Sequence, residues 1–348
     1  MYVCGITPYD ATHVGHAATF LVFDVLQRRL RDLGLRTRCV RNVTDVDDDL
    51  LARARSAGVH YLDLSARALV AFGADLHALG LLPVHSEPRA TSGISDVRSV
   101  IGRILERGGG YTAGGNVFFD VTTAPGFGRL SGLGAGGMEA LSPQPGERSD
   151  LAGRRHPLDV PLWQASDPGE PSWSARWGRG RPGWHVECAA LALRELGAPI
   201  DLHGGGQDLV YPHHECESAM AEVATGGTFV QHWMHVAMVH VDGSKMSKSA
   251  GNLAFIGELR RRCDPMAIRL AILDHHYRQP WDWDEGLLET ASARLSMWRS
   301  TGTGRSALDE VRAALDEDLA IPDAMAAIDA AARHGHGVSE AMDLIGVR

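Results

Sequence analysis

Lysine is almost absent from this 348-residue sequence. Only two of its 34 lysine and arginine residues are lysines, Lys245 and Lys248. An ammonium group is a compact, mobile point charge, whereas a guanidinium is planar and rigid, so the two are not interchangeable at a functional site. Because both lysines lie in the single stretch KMSKS, we predict that this stretch has a function that arginine cannot serve.

The chain also lacks long apolar runs, an excess of basic charge and an even set of cysteines. No segment approaches the ~18–20 continuous apolar residues that a membrane span needs, and the start, MYVCGITPYD, does not have the pattern of a signal peptide. The net charge of −9 gives no support to a nucleic-acid partner. Five cysteines argue against a disulfide framework and favour metal ligation or buried thiols. We therefore expect a cytosolic globular protein.

The order of helix-like and strand-like segments predicts an α/β fold with a parallel sheet. An apolar, β-prone start is followed by a glycine-containing loop, an amphipathic helix at 17–33 and a strand at 35–42, which is how a nucleotide-binding unit opens. The α/β pattern resumes later in the chain, with helices predicted at 185–197 and 212–224 and strands at 199–203 and 234–240. From residue 256 onward the pattern is helical.

Composition shifts divide the chain into four predicted parts. The segment 108–182 is rich in glycine, proline and serine, which indicates an insertion with long loops between two halves of the sheet. The predicted parts are the first half of a Rossmann catalytic domain at 1–107, a connective insertion at 108–182, the second half with the KMSKS loop at 183–252, and a C-terminal helical domain at 253–348.

Three motifs favour a nucleotide site. The stretch HVGH, from His13 to His16, falls between the first strand and the first helix, where phosphates dock on a helix N-terminus. Its Gly15 permits close approach of a triphosphate to the backbone. The ammonium and hydroxyl groups of KMSKS suit a pyrophosphate leaving group. A glycine run followed by Asp208 lies directly after a predicted strand, where adenosine is commonly bound.

Cysteines and histidines on separate elements offer metal ligands. Cys4, Cys188 and His213 suit zinc, with Glu217 as an optional carboxylate one helical turn beyond the histidine. Their spacing alone favours another interpretation, in which the thiols are buried and His213 and His214 are a surface pair. The case for a metal is selectivity, because an apolar pocket separates near-isosteric substrates by only ~1–3 kcal/mol. A zinc ion with an open position binds a thiolate directly.

Together these motifs carry a resemblance. The ordered set MYVCGITPYD, HVGH, RNVTDVDD, EPRAT, GWHVEC, HGGGQDLVYPHHE, WMH and KMSKSAGN, spread over residues 1–345, is similar to the family of cysteinyl-tRNA synthetases and the related cysteine:glucosaminyl-inositol (mycothiol) ligases. The resemblance implies a class I synthetase-type Rossmann fold with an inserted connective subdomain and a C-terminal helical bundle. It also implies adenylation of cysteine, with MgATP as substrate and one zinc ion per chain.

The resemblance also implies roles for individual residues. It places zinc on Cys4, Cys188 and His213, with the substrate thiol in the fourth position. It assigns adenylation to His13, His16, Lys245 and Lys248. The residues implied to contact the cysteinyl adenylate or to line the adenosine and acyl-phosphate region are Gly5, Ile6, Thr7, Thr19, Asn42, Val43, Thr44, Trp184, Gly206, Gln207, Asp208 and Val239.

Details of the sequence favour the ligase branch. Ala17, Ala18 and Thr19 after HVGH resemble the ligase, and the end near LIGVR leaves little room for an anticodon-reading domain. Three features depart from that branch: the chain begins at the first strand, residues 147–150 read ERSD instead of an ERGGDP-like stretch, and Glu217 matches the synthetase.

The expected reaction transfers activated cysteine to the amine of glucosaminyl-inositol, as in mycothiol biosynthesis, and releases AMP and pyrophosphate. The expected enzyme is a monomer that acts on small molecules. Alternatives are a synthetase-like core that acts on tRNA or another amine, and a non-catalytic, ligand-sensing homologue. The base for amide formation is left open among Asp45, Asp47 and His235.

Overall fold

A computed structural model describes residues 1–142, 151–246 and 252–348, with only the backbone of Lys245. Lys248 and the ERSD stretch at 147–150 lie outside the described residues. The chain forms two compact units. The first unit comprises Met1–Tyr9, Cys39–Arg67 and Val84–Met234, and the second comprises Asp10–Arg38, Ala68–Pro83 and His235–Arg348.

The elements alternate in the first half of the chain and become mainly helical towards its end. The strands are β1 (Tyr2–Ile6), β2 (Val40–Val43), β3 (Gly110–Ala113), β4 (Asn116–Phe119), β5 (Val160–Gln164), β6 (Trp173–Ala175), β7 (Gly178–Pro182), β8 (Ile200–Gly206), β9 (Val230–Val236), β10 (Val239–Val241), β11 (Ser244–Lys245) and β12 (Trp281–Asp282). The helices are α1 (Val14–Asp32), α2 (Asp48–Ala57), α3 (Tyr61–Ala78), α4 (Ile94–Glu106), α5 (Ala135–Ala140), α6 (Trp184–Leu196), α7 (Glu215–Thr225), α8 (Ile256–Leu259), α9 (Pro265–Leu273), α10 (Gly286–Ser300), α11 (Leu308–Asp316), α12 (Ile321–Arg333) and α13 (Ser339–Leu344).

A parallel sheet carries the ends of three strands that matter for function. Its strand order is β2-β1-β8-β9. β1 runs parallel to β2, with Tyr2 opposite Val40, and parallel to β8, with Tyr2 opposite His203. The parallel α/β arrangement predicted from the sequence is confirmed. Because the carboxyl ends of parallel strands meet at one edge, the residues that follow β1, β2 and β8 lie on the side where such sheets bind ligands.

An antiparallel sheet occupies the segment predicted as an insertion. Its strand order is β3-β4-β5-β7-β6, and its buried Phe119 and Trp163 share a core with apolar residues of α4, α6 and α7. The sheet therefore braces α6 and α7, the two helices that carry the candidate metal ligands Cys188 and Glu217. The four-part division of the chain stays a prediction.

The second unit is mainly helical, with a small sheet of order β11-β10-β12. In its interior the fully buried Arg269 donates to Asp24 at 2.5 Å and to the carbonyls of Leu79 and Ile345. Burial alone raises the pKa of Asp24, but Arg269 and Arg28 hold that pKa below its usual value. This pair fixes α1 against α9 within the unit.

Two strand positions predicted from the sequence are wrong. The strand predicted at 35–42 begins later, as β2 at Val40–Val43, because the preceding Leu35 is exposed and does not pack in the sheet. The strand predicted at 234–240 is β9, Val230–Val236, which ends before β10 begins. Among the helices described, none is both long enough and apolar enough to cross a membrane.

Candidate functional site

Four buried metal-ligand side chains converge in the first unit. Ligand atoms of Cys4, Cys188, His213 and Glu217 all lie within 4.8 Å of one another. Cys4 comes from β1, Cys188 from the first turns of α6, and Glu217 from α7. His213 lies in a kinked segment at residues 210–214, where the backbone of Tyr211 is extended, and its Nε2 is 2.8 Å from Glu217 Oε1. The structure thus brings together the three predicted ligands and the optional carboxylate.

Neighbouring aromatic side chains orient this cluster. His185 Nδ1 is 2.7 Å from His213 Nδ1, which leaves Nε2 of His213 directed at the cluster. The Trp184 ring stacks on the His213 ring at a centroid distance of 4.1 Å. On the other side, His203 Nε2 is 3.1 Å from Glu217 Oε2. Metal-bound histidines and carboxylates in proteins are held by such outer contacts.

The electrostatics of the four donors favour a bound cation. Hydrogen bonding from Cys4 lowers the pKa of Cys188 to about 7, whereas burial raises that of Cys4. Burial works against charge on both His213 and Glu217, yet their contact raises the pKa of His213 to about 10 and holds that of Glu217 well below its usual value. The cluster therefore concentrates negative charge on a thiolate and a carboxylate, and a metal ion can take the place of the histidine proton.

The donor set fits zinc. Two sulfurs, one imidazole nitrogen and a carboxylate oxygen are the ligands that borderline-soft Zn²⁺ prefers, and two sulfurs bound at ~2.3 Å in a tetrahedron are about 3.8 Å apart. Small movements of the side chains reach that spacing. Cys4 also lies within 4.8 Å of His203 and His214. That alternative group has only one thiol, and its His203 is already directed at Glu217, so the first group is the better metal site.

The predicted adenylate contacts in the first unit follow the ends of β1, β2 and β8. The Gly5 amide donates to Asn42 Oδ1 at 2.8 Å, and Asn42 Nδ2 donates to Thr44 Oγ1 at 3.2 Å. Ile6 lies opposite Val43 in the sheet register. These bonds fix the geometry of the strand ends, which is a structural role that the sequence did not reveal.

The end of β8 and the loop after β1 add polar groups to this edge. Gly206 ends β8, and the exposed Gln207 and Asp208 form the turn that follows. Thr7 Oγ1 donates to Asp47 Oδ2 at 2.9 Å. The edge thus presents a carboxylate and an amide to solvent beside the buried donor cluster of Cys4.

Gly5 packs so closely that an alanine there is expected to destabilise the protein. A Cβ atom at Gly5 lies 1.8 Å from the carbonyl oxygen of Asn42, a backbone atom that cannot move without displacing β2. We expect Gly5→Ala to lower the free energy of unfolding by about 3 kcal/mol, the upper end for overpacking, in urea denaturation. Gly227→Ala is the control, because nothing lies within 4 Å of its Cβ. A Gly5→Ala protein as stable as the control contradicts this account of the glycine.

The HVGH residues lie in the second unit, at the start of α1. His13 precedes the helix, and the His13 and His16 rings stack at a centroid distance of 3.7 Å. A Cβ atom at Gly15 lies 3.0 Å from the His13 imidazole, so this glycine leaves room for the ring. The sequence predicts the motif just before a helix that begins at residue 17, whereas α1 begins at Val14, so three of the four HVGH residues lie in its first turn.

The other predicted residues of the second unit lie near that motif in sequence or on β10 and β11. Thr19 Oγ1 donates to the Gly15 carbonyl at 3.4 Å. Val239 is buried on β10 opposite Trp281, and Lys245 on β11 lies opposite His240. The roles of these residues stay predictions.

Sequence reasoning missed the side chains that surround the metal ligands. His185 and His203 had no predicted role, although each lies within hydrogen-bond distance of a donor, and Trp184 was expected to contact the adenylate rather than His213. His185 and His213 are 28 residues apart, and no local pattern signals such a contact.

A family model and curated proteins both match this chain over most of its length. Residues 1–293 match the family model described as "tRNA synthetases class I (C) catalytic domain". The "L-cysteine:1D-myo-inositol 2-amino-2-deoxy-alpha-D-glucopyranoside ligase" of Thermobispora bispora is 48% identical over 337 residues, which are 95% of this chain and 84% of that protein. The protein of the same name from Streptosporangium roseum is 46% identical over 337 residues, 95% of this chain and 83% of that protein.

Solved structures agree on the fold. The methionyl-tRNA synthetase of Mycobacterium tuberculosis, in complex with methionyl-adenylate, superposes with a TM-score of 0.70 at 17% identity, covering 99% of this chain and 87% of that chain. The class I synthetase-type fold predicted from the sequence is thereby confirmed.

Proposed function

The chain belongs to the family of class I (C) tRNA synthetase catalytic domains, and on this premise we propose that it is an ATP-dependent ligase that activates L-cysteine. The product of activation is cysteinyl-AMP. The cysteinyl group then passes to the amine of glucosaminyl-inositol, with release of AMP and pyrophosphate, which is a step of mycothiol biosynthesis. The names of the two relatives state this pair of substrates, cysteine and an amino sugar linked to inositol.

The observation that carries the proposal is the buried cluster of Cys4, Cys188, His213 and Glu217. Cys4, Cys188 and His213 would hold zinc, with Glu217 at the same centre. A bound zinc ion supplies a position that takes the thiolate of cysteine and discriminates against the hydroxyl of serine. His185 and Trp184 hold the His213 ring in place for this task.

The other residues divide into those that act on ATP and those that orient the adenylate. His13, His16, Lys245 and Lys248 stabilise the charge that develops as the cysteine carboxylate attacks the α-phosphate of MgATP. The residues that contact the adenylate are Gly5, Ile6, Thr7, Thr19, Asn42, Val43, Thr44, Trp184, Gly206, Gln207, Asp208 and Val239. A cytosolic monomer without a nucleic-acid partner completes the proposal.

Two assays test this function. We expect cysteine-dependent exchange of pyrophosphate into ATP, and AMP release when glucosaminyl-inositol is added. Serine in place of cysteine is the control for the first assay, and tRNA in place of the sugar is the control for the second. An absence of exchange excludes both enzymatic functions and leaves a non-catalytic homologue. Exchange followed by acylation of tRNA alone excludes the ligase and identifies a synthetase-like core.

A further inference from the structure

A carboxylate lies beside the strand end that carries Thr7. Asp47 Oδ2 accepts the hydrogen bond of Thr7 Oγ1 at 2.9 Å, and Asp47 Oδ1 accepts that of the Leu50 amide at 2.7 Å. The second bond caps the N-terminus of α2. A carboxylate has about four lone-pair sites, so these two bonds leave acceptor capacity. Asp47 is only partly buried, so a small molecule can approach it.

Asp45 and His235, the other two residues that the sequence offers as a base for amide formation, have different surroundings. Asp45 is fully buried, and both its oxygens are engaged by Thr91, whose amide and hydroxyl donate at 2.8 and 2.6 Å. Asp45 therefore holds the loop after β2 to the segment before α4. His235 belongs to the second unit. Of the two partly exposed candidates, Asp47 and His235, Asp47 belongs to the same unit as the metal cluster and is bonded to Thr7 at the end of β1.

Asp47 is bonded to Thr7 at the sheet edge where β1, the strand that carries the metal ligand Cys4, ends. Cys4 and Thr7 lie three residues apart at the end of β1, a step of about 10 Å along a strand. A cysteine whose sulfur is held at the cluster has its carbonyl carbon three bonds from that sulfur. The Thr7 hydroxyl fixes the Asp47 carboxylate at that edge.

We propose that Asp47 is the general base that accepts the proton of the attacking amine when the cysteinyl group is transferred. This inference rests on the proposed ligase function. In the step, the amine nitrogen forms a bond to the cysteinyl carbonyl carbon, and the bond from that carbon to the AMP oxygen breaks. AMP leaves with the electron pair, and the amine proton moves to the Asp47 carboxylate, which later returns it to solvent.

The protonation of Asp47 suits this role. Burial, together with the Asp49 and Asp48 carboxylates, raises the pKa of Asp47 to about 7, against the opposing effect of the Leu50 amide and the Thr7 hydroxyl. A base with a pKa near the working pH is the most effective. The group is deprotonated above that pH, so the rate of transfer rises as pH increases through about 7 and then levels.

Several other ionisable groups lie around Asp47. Arg181, on β7, forms an ion pair with Asp48, so its positive charge is paired with that carboxylate and not with Asp47. Tyr9 contacts Asp49 at 3.5 Å. Burial raises the pKa of Glu187 on α6 well above its usual value. Asp45, Asp48, Asp49 and Glu187 are carboxylates of the same neighbourhood among the described residues.

The test compares amine transfer with pyrophosphate exchange in the full chain purified with its metal. In Asp47→Asn and in Asp47→Ser, which both keep an N-cap side chain, we expect the ratio of transfer rate to exchange rate to fall by about 100-fold or more. Asp63→Asn removes an exposed carboxylate from the first turn of α3 and is the matched control. Its ratio is expected to equal that of the parent protein.

The pH dependence of the transfer rate distinguishes a general base from a residue that only caps a helix. In the parent protein the transfer rate is expected to rise with pH through about 7. The rise is expected with glucosaminyl-inositol and also with hydroxylamine, whose ammonium form is more acidic than that of the amino sugar. In Asp47→Asn the rise near pH 7 is expected to disappear, and the pH dependence of the transfer rate is expected to follow the ionisation of each amine. An unchanged ratio, or an equal loss of exchange and transfer with an unmoved profile, overturns the assignment of Asp47. An inactive parent in the exchange assay overturns the ligase function itself.

Discussion

Cys188→Ala is expected to lose its metal and its selectivity for cysteine together. The substitution removes one of two sulfur donors and leaves Cys4, His213 and Glu217. Replacing an outer-shell partner of a metal ligand already costs 10–100-fold in metal affinity or activity, and loss of a ligand costs more. We therefore expect the kcat/KM of pyrophosphate exchange with cysteine to fall by more than about 100-fold.

Selectivity gives the sharper measurement. Without the metal, the site distinguishes cysteine from serine only by shape and weak polar contacts, which separate near-isosteric substrates by about 10–200-fold. The ratio of kcat/KM for cysteine over serine is therefore expected to fall to that range or below. Zinc content, measured by atomic emission, is expected to fall from one per chain to near zero. Dialysis of the parent protein against a chelator is expected to have the same effect, reversed by added zinc.

A matched control distinguishes loss of the metal from loss of a buried thiol. Cys39 is as buried as Cys188 and lies in the same unit, but it is outside the ligand groups found among the described residues. Cys39→Ala is expected to keep its zinc and its preference for cysteine. If Cys188→Ala also keeps both, Cys188 is not a zinc ligand.

The parts of the site that depend on chain order were predictable from the sequence. A strand, a glycine-containing loop and an amphipathic helix place HVGH at the start of α1, and His13 and His16 lie there. The spacing of His213 and Glu217 places them one helical turn apart, and their side chains touch. In each case the signal is local, because the periodicity of the element sets the geometry.

The metal centre was not predictable in the same way. Its ligands come from β1, α6 and the kinked segment before α7, and Cys4 is 213 residues from the Glu217 that it contacts. Long-range packing sets such contacts, so spacing favoured buried thiols and only the family resemblance indicated zinc. The thiols are indeed buried, but His213 is buried with them and is not on the surface.

Packing also explains what local patterns misplaced. The strand predicted at 35–42 starts late because Leu35 is exposed, and pairing with β1 begins only at Val40. The role of Asp47 likewise depends on its contact with Thr7, forty residues away. The sequence alone leaves the base open among Asp45, Asp47 and His235, because no local pattern shows which of them contacts the end of β1.

His16→Ala is expected to slow adenylation by about 10²–10³-fold, the cost of losing one donor that stabilises transition-state charge. His16 lies in the first turn of α1, where the helix N-terminus carries partial positive charge that favours phosphate. Its ring stacks on that of His13, which holds both at the same helix end. Because alanine is the best helix former, the substitution is not expected to disturb α1.

The kinetic pattern of His16→Ala identifies the step that the histidine serves. A group that acts mainly in the transition state lowers kcat and leaves the KM for ATP nearly unchanged, whereas a group that only binds ATP raises KM. Pyrophosphate exchange at varied ATP and saturating cysteine measures both quantities. His334→Ala, which removes an exposed imidazole from the same unit, is the control and is expected to keep the parent rate. Zinc content is expected to stay at one per chain in both variants, because neither histidine belongs to the metal cluster. A His16→Ala protein with a kcat within threefold of the parent contradicts the role assigned to HVGH, whatever the outcome at Cys188, because the two sites contribute to different halves of the same activation.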